Sequence, residues 1–202
     1  MAATLKQESV VVLGHWNMAI LDPAWLVRYG IVSAAVEEVT GQYDPYLKRV
    51  TFKIADMSWT VDESRIQIEG SQLQHREIEG LTKLVGILQH TPVRGVGFNF
   101  LWECPTGEWP DEQKPSFCAK SLPELKQLGF ISAEWGGRKS LSDGTLLTCV
   151  VGEREEAKIF ISANLHRTTT SCDVLSEALS KWQEYKSETQ HTVLKLTGVT
   201  LL

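Results

Sequence analysis

The sequence predicts an α+β fold of two similar β-α-β-β-β-α modules, residues 1–91 and 92–202, and three observations carry that expectation. The first is a junction near the middle of the chain. Ile78, Leu81, Leu84, Val85 and Leu88 recur at spacings of three and four, the apolar stripe of an amphipathic helix. Beyond Thr91-Pro92, Val96, Phe98, Phe100 and Trp102 alternate with Gly95, Gly97, Asn99 and Leu101, the two-residue period of a strand. Pro92 has no N–H for a continuing helix and sets the switch. The second observation is alternation elsewhere. Val50, Phe52 and Ile54 oppose Thr51 and Lys53, and Ile66 and Ile68 oppose Arg65, Gln67 and Glu69, which predicts a sheet covered on one face and wet on the other. The third is duplication. Pro23–Ala34 (PAWLVRYGIVSA) and Pro123–Ala133 (PELKQLGFISA) share a proline start, a short amphipathic helix, a glycine stop and Ser-Ala. Arg65–Glu69 and Lys158–Ser162 share a base followed by alternate isoleucines, and His-Arg follows each at 75–76 and 166–167.

Taken in order, residues 9–13 form an apolar run that ends at Gly14 and reads as a buried strand. Asp22-Pro23 supplies a capping carboxylate and a proline at the first helical position, and Gly30 stops the short helix. A strand is expected at 31–39, a loop at 40–46, a strand over 49–59, a turn at Asp62-Glu63-Ser64 and a strand at 65–69. Residues 104–121 hold prolines, a glycine and charges without periodicity, so an irregular loop is expected there. A second short helix follows at Pro123 and a strand at 130–135, with Gly136-Gly137 opening a loop. Two strands, 145–151 and 158–166, form a hairpin about the charged turn Gly152–Glu156. Thr170 with Asp173 resembles a capping box, and one long helix follows with Leu175, Ala178, Leu179, Trp182 and Tyr185 on a single stripe. The tail beyond Gly198 fits either helix or strand.

This element order resembles the duplicated β-α-β-β-β-α modules of the TATA-box-binding-protein-like saddle and of the gyrase-inhibitor-like ligand-binding domains. The resemblance implies a curved antiparallel sheet, long helices on one face, and a binding surface on the open face or between the halves.

Composition narrows the function. A hydrophobic share of 43%, a charged share of 22% and a net charge of −5 are those of a globular protein without the basic footprint that nucleic acid needs, so nucleic-acid binding is disfavoured. No apolar run reaches the length of a membrane span, and Met1–Val10 lacks the apolar core of a secretory signal. Four cysteines without a Cys-x-x-Cys pair point to reduced thiols and a cytoplasmic location. No nucleophile-elbow, zinc-protease or phosphate-loop motif is present, so no catalytic residue, metal or cofactor is assigned.

The candidate binding residues are Asn99 and Trp102 on the central strand, Trp109 in the irregular loop, and Asn164 and His166 on the open side of a later strand. Gly95 and Gly97 make the central strand slim, which predicts the close approach of another element, a helix of the same chain before a ligand. Cys104 and Cys118 flank Trp109, but two thiols are a poor start for a four-ligand zinc site. His75 and His166 read as solvated residues before they read as proton carriers. Seven tryptophans without a reactive constellation favour a non-catalytic protein-interaction module, with another protein or a second copy as partner. A small-molecule sensor with a pocket between the repeats is the alternative. An enzyme with an unfamiliar site comes third.

Overall fold

The computed structural model describes residues 2–32, 39–46, 48–54, 57–105, 133–154 and 158–202. They form a mixed α+β fold with a large, mainly antiparallel sheet and four helices. The strands are β1 (Ala2–Gly14), β2 (Val39–Asp44), β3 (Arg49–Ile54), β4 (Met57–Val61), β5 (Arg65–Gly70), β6 (Val93–Pro105), β7 (Ala133–Ser140), β8 (Leu146–Arg154), β9 (Lys158–Thr168) and β10 (Thr200–Leu201). The helices are α1 (Pro23–Arg28), α2 (His75–Ile87), α3 (Cys172–Ser180) and α4 (Trp182–Thr197). Hydrogen-bonded neighbours run in the order β2-β3-β4-β5-β1-β6-β9-β8-β7, with β10 beside β1.

The chain divides into two compact units: residues 1–7, 99–165 and 184–202 form unit 1, and residues 8–98 and 166–183 form unit 2. In unit 2 the alternation read from the sequence becomes register. Phe52 lies opposite Trp59 and Trp59 opposite Ile68, which in turn faces Val10. All four are buried, and the Phe52 and Trp59 rings stack at 6.2 Å. The intervening positions make a second row in which Gln42, Thr51, Thr60 and Gln67 keep hydrogen-bonding groups on the other face, and which ends at Val11. α2 starts where the Glu77 carboxylate turns back to accept the Gln74 N–H (2.8 Å), and it buries Ile78, Leu81, Leu84 and Val85. α3 packs beside it.

In unit 1, β8 and β7 pair from Leu146–Ser140 to Glu153–Ala133. Trp102, Leu147, Ile161, Ala163, Leu165 and Val193 are among its most buried side chains. The Asp143 carboxylate accepts the Tyr185 hydroxyl (2.6 Å), which accepts the Thr145 hydroxyl in turn (3.2 Å). This ties the β7–β8 turn to α4. β10 pairs with the start of β1 through Leu202 N–H to Ala3 O (2.9 Å) and Leu5 N–H to Leu202 O (3.1 Å).

Several expectations need correction. The first strand begins at Ala2, not at 9, because the polar stretch Thr4–Glu8 hides an extension that pairing with β10 supports. Residues 40–44, expected as loop, belong to strand β2; Gly41 and Asp44 disguise a segment held by its ladder with β3. The single strand expected over 49–59 is two strands, with Ile54 opposite Met57. Both keep the two-residue period, but the buried positions shift phase between them, from 52 and 54 to 57, 59 and 61. Gly136 and Gly137 continue β7: a Cβ on Gly136 would lie 2.7 Å from the Cys149 carbonyl oxygen, an approach only glycine allows. Gly152, placed in a turn, lies within β8, where the Phe160 ring fills the space a Cβ would take. The closing helix is two helices that part at Lys181, and its cap is Ser171, whose Oγ accepts the Val174 N–H (3.4 Å), not Thr170. The tail is a strand. The helix at Pro123, most of the expected strand at 31–39 and the loop beyond Pro105 lie outside the described residues.

Candidate functional site

Two of the sequence-derived candidates meet. Asn99 and Asn164 face each other across β6 and β9 in unit 1, the Asn164 Nδ2 donating to the Asn99 Oδ1. Contacts at Cys104–Ile159 and Asn99–Asn164 step in opposite directions along the two strands, as antiparallel pairing requires. The amides satisfy each other in part and form a cross-strand rung. Trp102 is 0% exposed and packs against Phe100 at 5.6 Å, so it offers no surface to a partner. Trp109 lies outside the described residues.

His166 belongs to unit 2, where its ring nitrogen Nε2 stands 3.3 Å from the Thr168 hydroxyl. It lies beside Gly95: a Cβ there would come 3.4 Å from the ring and only 2.7 Å from the Arg167 carbonyl oxygen. The element that crowds Gly95 is therefore the neighbouring strand β9, not a helix. His75 pairs with Glu79 one turn along α2, at 3.2 Å on an exposed face. Cys104 is buried within β6, and no group of three metal-ligating side chains occurs among the described residues.

A cluster that the sequence reading passed over sits at the C-terminal end of α1. Asp22 caps the helix, its Oδ1 accepting the Trp25 N–H at 2.8 Å. At the other end Gly30 adopts φ +60°, Gly30 N–H donates to Val27 O (2.9 Å) and Ile31 N–H to Leu26 O (2.9 Å). This is a Schellman stop, with buried Leu26 and Ile31 as its hydrophobic pair. The left-handed turn sends the Ile31 carbonyl toward α2. It lands on Gly80, where a Cβ would stand only 2.3 Å from the oxygen. One turn further along α2, Lys83 reaches over to the Gly30 carbonyl at 3.5 Å.

The consequence is a surface patch in unit 2. Trp25 and Tyr29 are one turn apart, with ring centroids at 4.5 Å and planes tilted by 37°. Trp25 is half-buried and Tyr29 is 41% exposed. The Arg28 guanidinium lies 6.0 Å from the Tyr29 ring centre, at the limit of a cation–π contact, and both Arg28 and Lys83 are exposed. Neither cation joins an ion pair among the described residues. Asp22, the acid on this helix, points its carboxylate at the opposite end. Chemically the patch holds no nucleophile or acid–base pair. What it offers is two ring faces and two positive charges on a rigid base.

No helix among the described residues is long and apolar enough to cross a membrane. No protein-family model and no curated protein sequence matches the chain.

Proposed function

We propose that the chain is a non-catalytic protein-interaction module whose contact surface is the Trp25–Tyr29–Arg28–Lys83 patch. The observation that carries this reading is the paired, partly exposed rings of Trp25 and Tyr29 beside Arg28, because tryptophan, tyrosine and arginine are enriched among the few residues that dominate binding energy in protein interfaces. The rings sit on a helix stopped by a Schellman turn and seated on a glycine of α2, so little ordering remains to oppose binding. A cytoplasmic location accompanies this proposal. The test is quantitative co-purification from native extract with wild type and with Trp25→Ala/Tyr29→Ala, both checked for an unchanged melting temperature. Partners that bind both forms equally would remove the patch from the account.

The same proposal includes the duplicated architecture. Its support is the strand order, in which the leading strand of each half lies beside the last strand of that half's meander: β1 next to β5, and β6 next to β9. The matched segments Arg65–Glu69 and Lys158–Ser162 fall in those two last strands. A crystal structure in which the halves fail to superpose strand for strand would reject the repeat.

A further inference from the structure

From the charges around the ring pair, and resting on the interaction reading above, we infer that the patch receives an acidic peptide segment carrying an aromatic side chain. The whole chain has a net charge of −5, yet this surface presents Arg28 and Lys83 with no carboxylate against them among the described residues. Two exposed cations that no carboxylate among the described residues neutralises favour an anionic partner at this spot. Arg28 lies 6.0 Å from the Tyr29 ring and Lys83 reaches the carbonyl of the next residue, Gly30, beside two rings tilted by 37° on which a third ring can stack edge-on or offset. Charge alone would attract any polyanion. The rings add a demand for a planar apolar side chain between the acids. Lys83 and Arg28 come from different helices held in place by the Gly80 contact, so their spacing belongs to the folded surface and not to a flexible tail.

The test uses a fluorescein-labelled random glutamate–tyrosine copolymer and fluorescence anisotropy with the full chain. Poly-glutamate, oligo-thymidylate and vesicles of phosphatidylcholine with phosphatidylserine serve as comparators. The expected result is saturable binding to the copolymer, weaker binding to poly-glutamate, and a loss of roughly tenfold or more in Arg28→Glu/Lys83→Glu. Arg28→Lys/Lys83→Arg should retain most of it. Tyr29→Ala should bring the copolymer down to the poly-glutamate level. Absence of copolymer binding would overturn the inference, as would binding that ignores the charge reversal or the loss of Tyr29. Preferential binding of the oligonucleotide or the vesicles through these residues would overturn it too. The broader reading fails separately. If the copolymer is ignored but co-purification still depends on Trp25 and Tyr29, the surface stands and only its acidic partner is lost.

Discussion

Replacing Gly80 with alanine tests the contact on which the patch is built. In the middle of α2 the change would ordinarily stabilise a helix by about 0.5–1 kcal/mol. Here the added Cβ would stand 2.3 Å from the Ile31 carbonyl oxygen and 3.3 Å from its carbon. Ordinary contact begins at about 3.4 Å, so α2 and the Schellman turn must separate by roughly 1 Å. The obstacle is backbone, held by the Ile31 N–H to Leu26 O bond, and it cannot rotate aside. Overpacking of this kind costs about 1–3 kcal/mol, which offsets or exceeds the propensity gain and leaves Gly80→Ala less stable than wild type by up to about 2.5 kcal/mol. Gly86 is the control. It lies on the same helix, exposed, with nothing within 4 Å of its Cβ position, so Gly86→Ala should be neutral or stabilising by up to about 0.5 kcal/mol. Urea denaturation of the three proteins, compared at equal m-value, reads both effects. Equal stability of the two alanine variants would refute the reasoning.

Other outcomes follow from the same contacts. Leu26→Ala, at a position 1% exposed, should cost about 2–5 kcal/mol by denaturant melt, whereas Tyr29→Ala three residues on should cost less than about 1 kcal/mol. Burial pushes the Asp62 carboxyl up, but hydrogen bonds from Ser64 and the Arg65 guanidinium outweigh that and hold it below the usual value. A depressed folded-state pKa contributes stability above the unfolded value, so Asp62→Asn should destabilise at neutral pH, with the difference fading as pH falls through the lowered folded value. Melts at pH 7 and in acid check the sign. Burial raises the Cys149 thiol to about 11, only partly offset by Lys139. Alkylation at pH 8 followed by peptide mass mapping should therefore modify Cys149 only once denaturant opens the fold. Tyr185→Phe removes the hydroxyl between Thr145 and Asp143 and should cost about 1–2 kcal/mol in the same melts.

The parts of the fold visible in the sequence are those with an uninterrupted period. The stripe from Ile78 to Val85 and the alternation from Val96 to Trp102 became α2 and β6, because each period is long enough to outweigh local noise. Asp22-Pro23 and Gly30 bounded α1 as expected, since caps act within one turn. The hairpin within 49–61 was hidden because the two-residue period runs on either side of it; its trace is the shift of buried positions from even numbers (52, 54) to odd ones (57, 59, 61). Gly136-Gly137 misled for the opposite reason: glycine signals a turn and a close backbone approach alike, and only the Cys149 carbonyl decides which. Of the candidate residues, alternation set Asn99 on the slim face of one strand and Asn164 on the open face of another, but their meeting and the burial of Trp102 depend on packing that no local pattern reports. The ring pair did leave a trace, since Trp25 and Tyr29 stand four apart on a helix whose one fully buried residue is Leu26. Lys83 left none, because it arrives from another helix 53 residues away from Gly30.

The two units interleave along the chain: unit 2 needs residues 166–183 and unit 1 needs residues 184–202. On the ribosome, therefore, neither hydrophobic interior can be completed while translation is only half done. The apolar residues 10–13 of β1 and the apolar face of β6 must wait, exposed, for segments not yet made. Stalling synthesis near residue 105 should leave a nascent polypeptide that chaperones hold and proteases cut, and release of the final helices should end both vulnerabilities together.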